Sequence, residues 1–215
     1  MENENNEITI ADFLQHTDTE QLFAELDYKL RDGFHYHHIG SQIPYFKYIE
    51  SNIESLQLFY KTILKVSLVE GGDDFNTYYH LDFNNSDRGN VPSNNRHFIK
   101  NEHIIIGFVI YEIININKEI DLNSIQQLKE KIRIDYEDIK PGIYRLIAKS
   151  KNTNPSNLND SAIDNAIDSA LREFKKIGWM VTKNDEFDCL PAFRRLVDIY
   201  ENEIANIDEI YNELK

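Results

Sequence analysis

An α+β, mostly helical fold is predicted by three observations. Apolar residues recur at helical spacing over most of the chain, two short runs rich in aromatic and β-branched residues read as β-hairpins, and each hairpin closes a group of helices. Helices that end in a hairpin make a winged helix, so the chain reads as two tandem winged-helix domains, each finished by a β-hairpin wing. At 215 residues there is room for a core in each. The expected layout is an N-terminal tail over 1–18, a first domain over 19–84, a linker over 85–96, a second domain over 97–200 and an acidic C-terminal helix over 201–215.

In the first domain, Thr19 to Arg31 carries Leu22, Phe23, Leu26 and Leu30 on one stripe, and Gly33 ends that helix. Phe34 to Ile39 reads as a short strand. Ser41 to Lys65 then repeats Phe46, Ile49, Ile53, Leu56, Phe59, Tyr60, Ile63 and Leu64 at helical spacing, interrupted only near Pro44: one long buried helix or two abutting ones. Val66 to Val69, the turn residues Gly71 to Asp74, and Phe75 to Phe83 form the first hairpin. Asn84 to Asn95 collects Asn, Ser, Asp, Gly and Pro without a period, which marks a boundary.

The second half repeats the layout with different residues. A strongly apolar helix from about Phe98 to Ile116 forms the core, Ile120 to Leu122 reads as the short first strand, and Asn123 with Gln126 makes a capping box for a helix carrying Ile125, Leu128 and Ile132. Asp138 to Lys149 extends or follows that helix, and Lys151 to Asn159 is loop. From a cap at Asn159 or Asp160, an apolar face runs through Ile163, Ala166, Ile167, Ala170, Leu171, Phe174 and Ile177, and Gly178 stands where a left-handed terminating residue belongs. This is the recognition-helix position. Trp179 to Lys183, the turn Asn184 to Glu186, and Phe187 to Leu190 make the second wing, after which Pro191 opens a closing helix with Phe193, Leu196, Val197 and Tyr200.

A formal net charge of -14 and a pI of about 4.9 argue against a free-standing protein that embraces nucleic acid, because phosphate binding rests on Lys and Arg. Any DNA contact is expected to be local, and basic protein partners suit such a surface better. The single cysteine, Cys189, allows no internal disulfide and points to a reducing compartment and a buried strand position. Met1 to Asn6 has no apolar core of a signal peptide, and the longest apolar run, Ile104 to Ile116, is too short to cross a bilayer. A cytoplasmic chain with no membrane association is expected.

The opening LFAELDYKLRDGFHYH, the block ESLQLFYKTILKVSLVEGGDDFNTYYHLDF and the block DSALREFKKIGWMV stand in order between about Leu22 and Tyr200. In pattern they resemble the MukE/MksE family, including its relatives in the Wadjet systems. The resemblance implies a KITE-type subunit: a homodimer of tandem winged helices that clasps a kleisin (MukF/MksF-like) and through it an SMC ATPase (MukB/MksB-like). Such complexes are nucleoid-associated and organise chromosomes, or act against plasmids. The family's DNA-touching basic residues carry over to Lys175 and Lys176, whereas two upstream positions of that set fall on Ala162 and Asp168, for which Arg172 compensates only in part.

Arg172, Lys175, Lys176 and the wing residue Lys183 are the best local basic cluster, and the candidate DNA contact. Cations near a helix C-terminus are also favoured by the macrodipole alone, and Asp164, Asp168, Glu173, Asp185 and Glu186 cancel part of the field. Lys129, Lys131 and Arg133, or Arg194 and Arg195, could widen a basic track, although such groups are more often solvated faces. On the first hairpin, alternation sends Tyr79, Leu81 and Phe83 to one face and Tyr78 to the other, which makes these four the candidate protein interface. His35 and His37 share a strand face without further ligands at metal spacing, so surface histidines are the expectation there, and neither metal nor cofactor is expected. Phosphate-cradling and nucleophile-elbow motifs are absent, and no enzyme is read. The rival reading is a transcription regulator that enters the major groove with the Ile163 to Ile177 helix, for which Asp164 and Asp168 are poor residues.

Overall fold

The computed structural model describes residues 8–83, 89–91 and 99–200, and the chain divides into two compact units, Met1–His97 and Phe98–Lys215. Both are mostly helical, with a three-stranded antiparallel sheet in the first and a two-stranded one in the second. No helix among the described residues is long and apolar enough to cross a membrane. The expected C-terminal helix and most of the expected linker lie outside the described residues.

In the first unit, α1 (Thr19–Arg31) buries Leu22, Leu26 and Leu30, one per turn. It stops because Gly33 takes φ 88, which lets the Gly33 N–H donate to Leu30 O and the Phe34 N–H to Lys29 O. β1 (Tyr36–His37) follows, then α2 (Ile43–Ser51) and α3 (Ile53–Phe59). The break between the two helices falls at Asn52 rather than near Pro44. A proline in the first helical turn costs nothing, since its missing N–H has no partner there, so Pro44 starts α2 instead of interrupting it. Asn52 leaves helical geometry at φ -122 and its Nδ2 donates to Tyr48 O at 2.8 Å. After α3 the chain widens into a π turn over Tyr60–Leu64 and reverses through Lys65 at φ 58.

β2 (Ser67–Gly71) and β3 (Tyr78–Asp82) form the hairpin, and β1 pairs with β3, giving the order β1-β3-β2. Phe75 therefore does not belong to the aromatic strand, as its neighbours suggested. It stands in the turn. The segment read as an N-terminal tail is also partly core: Phe13 is 1% exposed, between the rings of Phe23 at 4.7 Å and Phe59 at 5.4 Å. Its carbonyl accepts from Thr19 Oγ1 at 2.6 Å and Tyr48 Oη at 3.1 Å, so the packed aromatic is also pinned by its backbone. On the other side of the unit, Val91 is buried and the Asn90 N–H donates to Leu64 O at 2.8 Å, which ties residues 89–91 to the first unit. Gly89 is obligatory there, because a Cβ would lie 2.1 Å from Leu64 O.

In the second unit, α4 (Asn101–Tyr111) is apolar almost all round and buries Ile105, Ile106, Phe108, Val109 and Ile110. A helix of that kind can only be central. It passes into a π turn at Glu112–Ile116, and α5 (Ile125–Asp135), α6 (Lys140–Lys151) and α7 (Asp160–Lys176) complete the helical part. Gly107 sits where α4 meets α7 and the closing helix α8 (Arg195–Ile199): a Cβ there would lie 3.1 Å from Phe174 Cζ and 2.9 Å from Leu196 Cδ2. The hairpin is β4 (Met180–Lys183) and β5 (Glu186–Cys189).

Two local expectations shift by a few residues. Ile120–Leu122 is not a strand; the extended contact is a single bridge between Ser124 and Glu186, which places a short first segment against β5 just as β1 lies against β3. The cap of α5 is likewise Ser124, whose Oγ accepts from the Gln127 N–H at 3.2 Å, in place of Asn123 with Gln126. Both units thus run helix, short extended segment, helices, hairpin, with the first extended segment paired to the last strand.

Candidate functional site

The end of α7 and the hairpin after it are joined by one compact device. Gly178 at φ 73 lets its N–H reach Lys175 O at 3.1 Å and the Trp179 N–H reach Phe174 O at 2.8 Å, respectively the five-to-two and six-to-one bonds of a Schellman motif. The apolar contact that accompanies this motif is present as well, because Trp179 stacks on Phe174 with centroids 5.8 Å apart and meets Phe193 edge-on at 6.2 Å. Trp179 is 2% exposed, and the Leu190 N–H donates to its carbonyl at 2.8 Å. The hairpin is therefore fixed to the helix rather than hinged on it.

That geometry brings the four candidate cations to one end of the unit. Arg172, Lys175, Lys176 and Lys183 are all exposed. Lys175 Nζ donates to Thr182 O at 3.1 Å, so it helps to hold helix and β4 together, while Lys183 faces Glu186 across the hairpin register. Spacing along α7 continues the outward face with Ser161 and Asn165, both exposed, so it presents hydroxyl, amide, guanidinium and ammonium groups.

The acidic residues expected to cancel this field are largely engaged elsewhere. Asp160, Asp164 and Asp168 form a row at i, i+4 and i+8, and each meets a cation from another helix: Lys140 at 3.3 Å, Arg133 at 3.0 Å and Lys129 at 2.6 Å. Lys140, with Tyr144 as a second donor, holds the Asp160 carboxyl below the ordinary range. Pairs as exposed as these contribute about 0–1 kcal/mol each, so they set local charge more than stability. Asp185 in the hairpin turn accepts from Ser124 Oγ at 2.7 Å and the Gln126 N–H at 3.2 Å, where the positive end of α5 welcomes a carboxylate. By the same pairing, Lys129 and Arg133, together with Lys131 on Glu119 at 2.9 Å and Asp135 at 2.7 Å, do not form an additional basic track. The partners of Arg133 and Lys129, 31 positions away and more, leave no mark in local sequence, which is why spacing could not reveal them.

The candidate interface residues are placed differently. Tyr79 and Leu81 are 4% and 3% exposed in the core of the first unit, and Phe83 packs against that core half-buried. Tyr79 also donates to Glu70 Oε2 at 3.1 Å, and burial, then the Glu70 charge, pushes its phenol up to about 12. Tyr78 lies on the opposite face with His80, His35 and His37, all buried; the His35 and His80 rings are 4.8 Å apart and those of His37 and Tyr78 5.4 Å. His35 and His37 are therefore interior groups, and not the surface histidines expected. Among the described residues, no group of three or more His, Cys, Asp or Glu is placed to hold a metal ion.

Cys189 ends β5 half-buried, opposite Met180, and burial followed by the Asp188 charge pushes its thiol up to about 12. At neutral pH such a thiol is not a nucleophile.

The family model described as condensin complex protein MksE matches residues 21–201 of the chain. No curated protein matches it.

Proposed function

The chain belongs to the MksE family of condensin complex proteins, and from that membership we propose that it is the KITE-type subunit of an SMC–kleisin complex, built of tandem winged helices, which dimerises and grips a kleisin. It is a condensin-complex subunit. The observation that carries it is the repetition: one connectivity, with the first extended segment on the last strand, occurs in both units although their sequences differ. In this reading the energy of binding goes into protein contacts and no reaction is catalysed. The role in the cell, cytoplasmic and on the nucleoid, is chromosome organisation or plasmid defence.

Sedimentation equilibrium of the purified protein is expected to give the mass of a dimer. Adding the kleisin of its own complex at a hundredfold excess over Kd is expected to stabilise it by about 2.7 kcal/mol, read as a rise in Tm. A monomer whose Tm ignores that kleisin contradicts the reading.

A second contact, with DNA, is favoured by the outward face of α7. Ser161, Asn165, Arg172 and Lys176 face outward while the acidic row is neutralised from within. Weak binding without sequence preference is expected. Each phosphate neutralised contributes about 0.9 to the slope of log K against log salt, so the pair Arg172→Ala and Lys176→Ala lowers that slope by about 2. Tight binding to one short duplex sequence at physiological salt points instead to the transcription-regulator reading, and an unchanged slope removes these two residues from any DNA contact.

A further inference from the structure

The hairpin between β2 and β3 carries an aromatic side chain that the first unit does not use. Phe75, at the apex of the turn, has a relative exposure of 103%, whereas the aromatics before and after it in sequence, Tyr60 and Tyr78, are 0% and 5% exposed. An isolated exposed Leu or Ile is ordinary, whereas aromatic residues, phenylalanine among them, are enriched where proteins meet.

The turn that holds it is built, not slack. The Asn76 N–H donates to Asp73 O at 2.7 Å, Thr77 Oγ1 donates to Asp74 O at 2.8 Å, and Asn76 Nδ2 reaches Asp73 Oδ1 at 3.4 Å. Gly72 takes φ 77 and a Cβ on it would lie 2.2 Å from Asn76 O, so only glycine closes the loop this tightly. Asp74, beside the phenylalanine, takes φ 44, the left-handed region that aspartate enters more readily than most side chains, as a tight turn requires. At the base, Gly71 leaves room for the Tyr78 ring, which comes within 2.4 Å of where a Cβ would be. A fixed turn lowers the ordering cost of presenting a side chain to a partner.

The charge around the ring selects the partner. Asp73 and Asp74 are exposed next to Phe75, and neither is in an ion pair among the described residues. Two carboxylates at an apex repel phosphate, so a nucleic acid or an anionic lipid surface is disfavoured there. The geometry points to a protein partner offering an apolar, phenyl-sized pocket rimmed by Lys or Arg, which Phe75 enters while Asp73 and Asp74 pair with the rim. Resting on the reading above, this assigns the first hairpin tip as an anchor for the kleisin.

The test is the affinity of the full chain for the kleisin of its complex, by titration calorimetry, with association rates by biolayer interferometry. Phe75→Ala is expected to weaken binding at least about tenfold, while Phe75→Leu loses less. Because the ring touches nothing in its own unit, the Tm of both variants stays at that of the wild type. Asp73→Asn with Asp74→Asn is expected to slow association severalfold and to flatten its salt dependence. Equal affinity of Phe75→Ala and wild type overturns the assignment alone. Weaker binding of a DNA duplex by Phe75→Ala, with kleisin affinity unchanged, overturns it as well. Failure of the wild type to bind the kleisin overturns the reading on which the assignment rests, and the two failures are told apart by the wild-type titration.

Discussion

Trp179→Ala is expected to lower the stability of the second unit by about 3–5 kcal/mol, the largest effect of any single substitution considered for this chain. The indole is 2% exposed between Phe174 and Phe193, and its backbone carries both the exit bond of α7 and the bond from Leu190. Truncation removes the ring and opens a cavity at the joint between α7 and the hairpin, which rigid neighbours fill only in part. Urea unfolding followed by far-ultraviolet circular dichroism measures it, as a fall in midpoint with the slope unchanged. Trp179→Phe keeps an aromatic plane on Phe174 and is expected to lose roughly half as much. Because the same joint positions Lys183 relative to Arg172 and Lys176, any DNA affinity of Trp179→Ala should fall together with its stability. A loss below 1 kcal/mol would mean that the hairpin is held by something other than this stack.

The second large effect is alkaline unfolding of the first unit. Burial raises the phenol of Tyr36, and burial with the neighbouring Asp27 charge holds that of Tyr60 well above 10.0; a hydrogen bond to Glu25 pushes Tyr45 up to about 12, and burial pushes Tyr79 to a similar value. A group whose proton is held more tightly in the folded chain than in the unfolded one stabilises the fold fully below its unfolded pKa. That stability is lost as pH rises beyond it. The window here is pH 10 to 12, and each pH unit above 10 costs about 1.4 kcal/mol for each phenol that stays protonated, Tyr60 and Tyr36 being the surest at 0% and 1% exposure. The midpoint in urea should therefore fall steeply across that window, with tyrosinate absorbance appearing in step with loss of helix signal. Tyr60→Phe should make the fall shallower. Its hydroxyl donates to Asp27 Oδ1 at 3.1 Å, to which Arg31 Nε also donates at 2.8 Å, so the carboxylate keeps a partner. Tyrosinate forming well before the helix signal falls would contradict these shifts.

Much of the fold can be read from spacing alone. The stripe of α1, the exit at Gly33, both hairpins and the Gly178 stop are local patterns, and local patterns survive folding unchanged. What spacing cannot show is context. Asn52 breaks a helix without breaking the apolar period, because the next helix resumes in phase. Phe13 lies outside every periodic run, and only the pocket between Phe23 and Phe59 reveals its role. Phe75 looks like its strand neighbours in composition, yet Gly72 and the left-handed Asp74 place it outside the strand. Charges are the hardest of all: Asp164 and Asp168 count against nucleic acid in a list of residues, but in space Arg133 and Lys129 answer them.

The carboxylate row on α7 repeats once per turn, and so do the cations of α5 that meet it. Sliding α7 by four residues, about 6 Å along its axis, would set Asp164 opposite Lys129 and Asp160 opposite Arg133, so both α5 cations would regain a carboxylate and only the pair with Lys140 on α6 would be lost. Attraction between these rows can choose which way the helix is rolled, but it is indifferent to where the helix stops. The stop has to be aperiodic, and Phe174 lodged against Gly107 is such a feature, since neither of its neighbours one turn away, Ala170 and Gly178, has a ring to put there.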